Sequence, residues 1–196
     1  LDKGEVLALM QRYLSQCDIP IEIYDYDPNA ADDLFETFKL KWNAISKTDK
    51  KNVIGIRTQK QIDTIDNAVN SGESYEGRTV TLTDDITLIG EWTPIGTGSR
   101  SSKSYSGNAF KGTFDGGDHT ISGLTITSTT GADAAVGLFG IVDGGTVKNL
   151  NLTDVNINVA SSNLAGAAIG MMLNGATADK ITVSGAIVGN DGGGGI

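Results

Sequence analysis

Three segments of the chain can be laid over one another: "TISGLTI" from Thr120, "TVKNLNL" from Thr146 and "TADKITV" from Thr177. "TVTLTDDITL" from Thr79 reads as an earlier, more divergent copy. Self-similarity at a spacing of roughly 20–50 residues belongs to stacked repeat architectures. Each copy carries short β-branched runs and no helical periodicity. Ile121, Leu124 and Ile126 in one copy, and Val147, Leu150 and Leu152 in the next, sit where they can turn inward together. A single copy cannot bury that inward face, whereas a pile of copies buries a continuous aliphatic column. Propellers fit less well, because a blade needs about four antiparallel strands. The expected fold is therefore mainly β, a parallel β-helix with one coil per repeat.

Composition divides the chain near Arg78. Residues 1–78 hold 24 of the 39 charged side chains and 4 of the 26 glycines; the remainder is poor in charge and rich in glycine. The first part reads as an N-terminal helical region of two to three helices. Asp2 and Glu5 form a capping box ahead of Val6, Leu9, Met10, Tyr13, Leu14 and Cys17, which recur at helical spacing. Asp27 and Pro28 open a second helix with the stripe Ala31, Leu34, Phe35, Phe38, Trp42 and Ile45. Asp25, Asp27, Asp32 and Asp33 read as a solvated helix start that complements the dipole. After the linker "SKTDKKN" comes a short strand, "VIGI". Thr58 and Gln61 then cap a third helix, which buries Ile62, Ile65 and Val69 and ends near Gly72. Placed directly before the repeats, it suits a lid on the end of the column. The expected organisation is 1–50 helical, 51–78 strand and capping helix, and 79–196 coils.

The net charge of −9 argues against nucleic acid, which needs clustered Lys and Arg. No apolar run approaches the roughly 18 residues of a membrane span. The lone Cys17 excludes an internal disulfide and reads as a small buried apolar residue. Leu1 is not an initiator methionine, which leads to the expectation that a signal segment has been removed.

The one histidine stands in "FDGGDHTISGLTI", Phe114 to Ile126. Asp115, Gly116, Gly117, Asp118 and His119 read as a tight turn into a strand. The glycines accept φ > 0 and the aspartates close the turn on nearby amides. A catalytic or metal site would need His119 to converge with further ligands or acids, and no second histidine exists. No cofactor or metal is therefore expected. The longest irregular insertion, "TGSRSSKSYSGNA", offers Arg100, Lys103 and Tyr105; with Trp92 these make a candidate sugar-binding patch. The plain alternative is a surface loop, with Trp92 packed against a coil. Asn151-Leu152-Thr153 matches a glycosylation acceptor but reads as part of a strand.

"WTPIG" (92–96), "FKGTFDGGDHTISGLTI" (110–126), "GLFG" (137–140) and "GGTVKNLNL" (144–152) together resemble the GLUG-motif β-helix repeats of bacterial surface and secreted proteins. Such repeats occur in Bacteroides-type surface proteins and in non-catalytic regions of IgA-specific metallopeptidases. The resemblance runs from about Ile56 onward and leaves residues 1–50 unassigned. It implies a right-handed winding, export, and an adhesive or scaffolding role toward a glycan or surface protein. It carries over no catalytic residue, and the His-Glu-x-x-His signature is absent. A polysaccharide lyase or glycosidase remains an alternative, with Asp84, Asp85, Asp115, Asp118 and Asp143 as its sensible acids, as does a helper region of a larger secreted protease. The closing "GAIVGNDGGGGI" begins another coil and then stops, so the solenoid is expected to be truncated, to continue, or to self-associate through its open last coil.

Overall fold

The computed structural model describes residues 53–100, 105–128, 133–159 and 163–189. The two helices expected within 1–50, Cys17, the acidic cluster around Asp27, and Lys103 all lie outside the described residues. The described chain is mostly β: a parallel β-solenoid of about three turns with one short helix.

One wall stacks β1 (Val53–Ile56), β2 (Thr79–Leu82), β6 (Thr113–Asp115), the start of β11 (Thr146–Val159) and the start of β14 (Thr177–Gly189). All are parallel, with Thr79, Thr113, Thr146 and Thr177 in one rank. A second wall stacks β3 (Ile86–Thr87), β7 (Thr120–Ser122) and the middle of β11. A third joins β8 (Thr125–Ile126) to the later part of β11, with Glu91 bridging to Thr125 from below. The chain returns through Ile95, β10 (Phe139–Asp143) and β13 (Ile169–Leu173), and β9 (Ala135–Val136) pairs with β12 (Leu164–Ala165). The antiparallel hairpin of β4 (Gly98–Arg100) and β5 (Tyr105–Gly107) leaves the first coil on this side. Because β1 belongs to the same sheet as the repeats, the column reaches back across the compositional break at Arg78.

Alternation along each strand puts one rank of side chains inside. Val80, Phe114 and Val147 follow one another in register and are fully buried. Ile121 lies under Leu152, and Ile126 under Ile157. The Phe110, Phe114 and Phe139 rings, all fully buried, meet with centroids 5.2 Å (Phe110–Phe139) and 5.1 Å (Phe114–Phe139) apart. Each such buried side chain contributes about 1.5–3 kcal/mol relative to exposure.

The corners follow from residues that tolerate the left-handed region. Asn149 and Lys180 turn consecutive coils with φ of 51° and 50°, and Asp154 turns the next corner of its coil with φ of 53°. Gly96, Gly140 and Gly170 follow the paired Ile95, Phe139 and Ile169 in one rank on the return side, the last two inside strands β10 and β13. A β-carbon on Gly140 would stand 2.2 Å from the Gly96 carbonyl oxygen, and one on Gly170 2.5 Å from the Val136 nitrogen. The closing glycines of "WTPIG", "GLFG" and "GAAIG" are there because backbone meets backbone.

The overlay of Thr120 on Thr146 is one wall out of step. Thr146 pairs with Thr113, and Thr120 pairs with Asn151; the overlay of Thr146 on Thr177 is in register. The corner after Asp115 holds four residues, Gly116 to His119, whereas the corner after Lys148 holds two, Asn149 and Leu150.

Helix α1 (Gln59–Asn70) closes the first end of the column. Thr58 caps it, its Oγ1 accepting from the Gln61 amide, while Gln61 Oε1 accepts from the Arg57 amide at 2.9 Å. Ile62, Ile65 and Val69 are buried in the core. Both ends of α1 are tied to the first full coil. Gln59 exchanges hydrogen bonds with the Ile89 backbone. Asn70 donates to the Pro94 carbonyl, and its Oδ1 accepts from the Gly96 and Thr97 amides at 3.1 and 2.9 Å.

Candidate functional site

The stretch from Asp115 to His119 is a tight corner held by its own backbone and by groups of the neighbouring coils. The His119 amide donates to the Gly116 carbonyl at 2.8 Å, with Gly117 and Asp118 both at positive φ (56° and 62°). Two left-handed central residues are what a type I′ turn demands. Gly116 serves differently: a β-carbon there would lie 2.3 Å from the Asn149 carbonyl oxygen. Asp115 Oδ1 accepts from the Gly117 amide and from Asn149 Nδ2, and its Oδ2 pairs with Lys148 at 2.9 Å. Desolvation pushes the Asp115 pKa up, but the bonds from Lys148, Asn149 and Gly117 outweigh it and hold it below the usual carboxylate value. His119 is partly exposed, with Nδ1 3.4 Å from Asp85, whose Oδ1 also accepts from the Thr120 amide. Among the described residues no group of three or more His, Cys, Asp or Glu gathers as a metal site requires.

Asp143 is the most enclosed of the other candidate acids. It accepts from Asn174 Nδ2 at 2.5 Å, from the Tyr105 hydroxyl at 3.0 Å and from Lys111 at 3.1 Å. The Asn174 bond first, then Lys111 and Tyr105, hold its carboxyl low against the opposing effect of burial. Asp84 accepts from the Asp85 amide on an exposed corner.

An opening lies between the β4–β5 hairpin and the coil segments that flank it. It is a cleft of about 490 Å³, within the range of small-molecule sites. The hairpin is braced over it by the Arg100 amide, which donates to the Asp133 carbonyl, and by the Ser99–Ala134 bridge. Hydroxyls of Thr93, Thr97, Ser99, Ser106 and Ser128 line it, with an apolar floor that includes Ile126 and Val136. Its one described carboxylate is Glu91. Glu91 accepts from the backbone amides and hydroxyls of Thr127 and Ser128. The Thr127 amide above all, with the Ser128 amide and both hydroxyls, lowers its pKa.

Of the four residues of the sugar-binding expectation, the three that are described do not converge on the cleft. Trp92 borders the cleft but is 5% exposed, and its indole N–H donates to the Leu138 carbonyl at 3.1 Å. Tyr105 packs toward Ala109 and Ile141 with its hydroxyl on Asp143, away from the cleft. Arg100 is exposed on β4 outside the lining, and Lys103 is not described. Ser and Thr density in the insertion is the sequence signal for the lining residues Thr97, Ser99 and Ser106, whereas Thr93 and Ser128 come from outside it.

Over 89 residues, 45% of the chain, the sequence is 38% identical to Halomucin of Haloquadratum walsbyi. That stretch is about 1% of Halomucin's length. No protein-family model matches the chain, and no solved structure matches it.

Proposed function

We propose that the chain is a non-catalytic binding module of a cell-surface or secreted protein, and that the hairpin cleft takes an uncharged sugar. The observation that carries this reading is the lining itself: five hydroxyl side chains around an apolar floor, with no lysine or arginine among the described lining residues. Hydroxyls and backbone match sugar hydroxyls, and the floor matches the apolar face of a pyranose. A glycosidase needs two carboxyl groups flanking the bond it cleaves. The single described carboxylate of the cleft, Glu91, is held ionised by four donor groups, which suits a brace and not a proton donor. Export, a bacterial origin, membership of the GLUG-type repeats and an adhesive role rest on the motif resemblance. Right-handed winding rests on the strong preference of parallel crossovers for that hand.

A neutral-glycan array followed by calorimetry tests the reading. The wild-type chain is expected to bind, and Ser106→Trp, which fills the cleft from an exposed strand position, to lose binding with its circular dichroism unchanged. His119→Ala is expected to bind as wild type. Binding untouched by Ser106→Trp would remove the cleft from the account, and polysaccharide cleavage abolished by Glu91→Gln would replace it with the enzyme.

A further inference from the structure

Both roots of the β4–β5 hairpin are held by one residue, Asn70, the last of α1. Its Oδ1 accepts from the Gly96 and Thr97 amides, and its carbonyl accepts from Asn108 Nδ2 at 2.7 Å. The Asn108 amide donates to the Thr97 carbonyl at 2.9 Å, so the two roots form one unit. Beyond them the strands meet backbone to backbone. A β-carbon on Gly98 would lie 2.2 Å from the Ser106 carbonyl oxygen, and one on Gly107 2.1 Å from that of Thr97. Thr97, Gly98, Ser106 and Gly107 all line the cleft. The Asn70 amide therefore sets where this wall of the cleft stands.

Asn70 is itself held by Asp66, one helical turn earlier. Its Nδ2 donates to Asp66 Oδ1 at 2.5 Å and to the Pro94 carbonyl at 3.1 Å. Asp66 is 9% exposed. Among the described residues no Lys, Arg or His pairs with it. The charge that acts on it is Asp63, on the same helix, and Glu91 of the first coil is turned to Thr127 and Ser128. A buried carboxyl without a cation favours its neutral form. Once ionised it draws in water or turns outward, and Asn70 loses its place on the hairpin roots. We infer that Asp66 and Asn70 form a pH-sensitive clamp, which holds the cleft in shape while Asp66 carries its proton and slackens when the proton leaves. Burial raises the Asp66 pKa to about 7, so release falls in the neutral range. Neither residue lines the cleft, so both act by positioning. Ligand is then held better below pH 7 than above it, a consequence that rests on the sugar reading of the cleft; the clamp itself does not.

Native-state hydrogen exchange on the full, ligand-free chain tests this, compared at about pH 5.5 and about pH 8.5. Protection factors of the Gly96 and Thr97 amides are expected to fall about tenfold across that range. Those of the Leu88 and Trp92 amides, which bond to the next coil at Ser122 and Thr125, are expected to fall less. In Asp66→Asn the Gly96 and Thr97 amides should stay protected at both pH values. In Asn70→Ala they should be weakly protected at both, with no step between them. An equal fall at all four amides would place the effect in global stability and overturn the clamp. So would a fall that persists in Asp66→Asn, or no fall in the wild type. Because no ligand is present, the expected exchange pattern in a chain that binds no neutral glycan upholds the clamp and removes the sugar reading alone.

Discussion

At Gly140 a single β-carbon decides whether two coils can stack. It would lie 2.2 Å from the Gly96 carbonyl oxygen and 3.0 Å from that of Ala135, both backbone atoms that cannot swing aside. Gly140→Ala is expected to destabilise the protein by about 3 kcal/mol in urea unfolding, the upper range for an overpacked site. Gly117→Val is expected to cost about 1 kcal/mol or more, because φ is 56° and the Leu82 carbonyl oxygen would lie 2.8 Å from the new β-carbon. Asp66, buried on α1, makes the protein sensitive to pH. Burial first, and the Asp63 charge second, raise its pKa to about 7. The folded chain then holds a proton that the unfolded chain has released, so this stabilisation is complete below the ordinary value of 3.8 and is lost as pH rises through 7. Asp115 and Asp143, with lowered values, act in the opposite sense: their contribution is present above 3.8 and is lost as pH falls through their folded values. Denaturant midpoints should therefore fall between pH 4 and 7, by on the order of 2 kcal/mol in stability, and Asp66→Asn should flatten that fall. A wild-type profile level across this range would contradict the Asp66 account.

Among the elements, α1 was the most legible. Its cap, its buried face and its end near Gly72 all follow from local spacing, and the Thr58–Gln61 pair bonds as the capping pattern requires. What spacing does not show is how the helix is fastened. Asn70 anchors it by accepting from two amides of the first coil and donating to the Pro94 carbonyl. Asn70→Ala is expected to cost about 2 kcal/mol, since the Gly96 and Thr97 amides lose their acceptor; native-state hydrogen exchange should show both amides less protected. The strands are legible in kind, and the register of Thr146 on Thr177 with them, but the register of the Thr120 segment is not. Walls one and two carry the same alternating β-branched pattern, so "TIS" matches "TVK" as well as "TFD" does, and only the longer Gly116–His119 corner separates the two alignments. The cleft was least legible. Its lining comes from a hairpin and from coil segments separated along the chain, brought together by an antiparallel pairing that no repeat pattern announces. Trp92 was misleading for a related reason: an aromatic beside a glycine-rich insertion resembles a binding platform, yet its indole N–H finds a carbonyl inside the wall.

The whole molecule is a column whose properties follow from stacking. Each coil completes the core of its neighbour, so stability is shared between adjacent layers. Amides of β11, which pairs with strands on both sides, are expected to exchange more slowly than those of the two-stranded β4–β5 hairpin. The parallel register is the premise on which the cleft and the helix-closed first end both depend. Nuclear Overhauser contacts between backbone protons of residues 113–115, 146–148 and 177–179 measure it directly. The account predicts parallel-type contacts joining Thr113 to Thr146 and Thr146 to Thr177; contacts of antiparallel type, or ones joining Thr120 to Thr146, would contradict it.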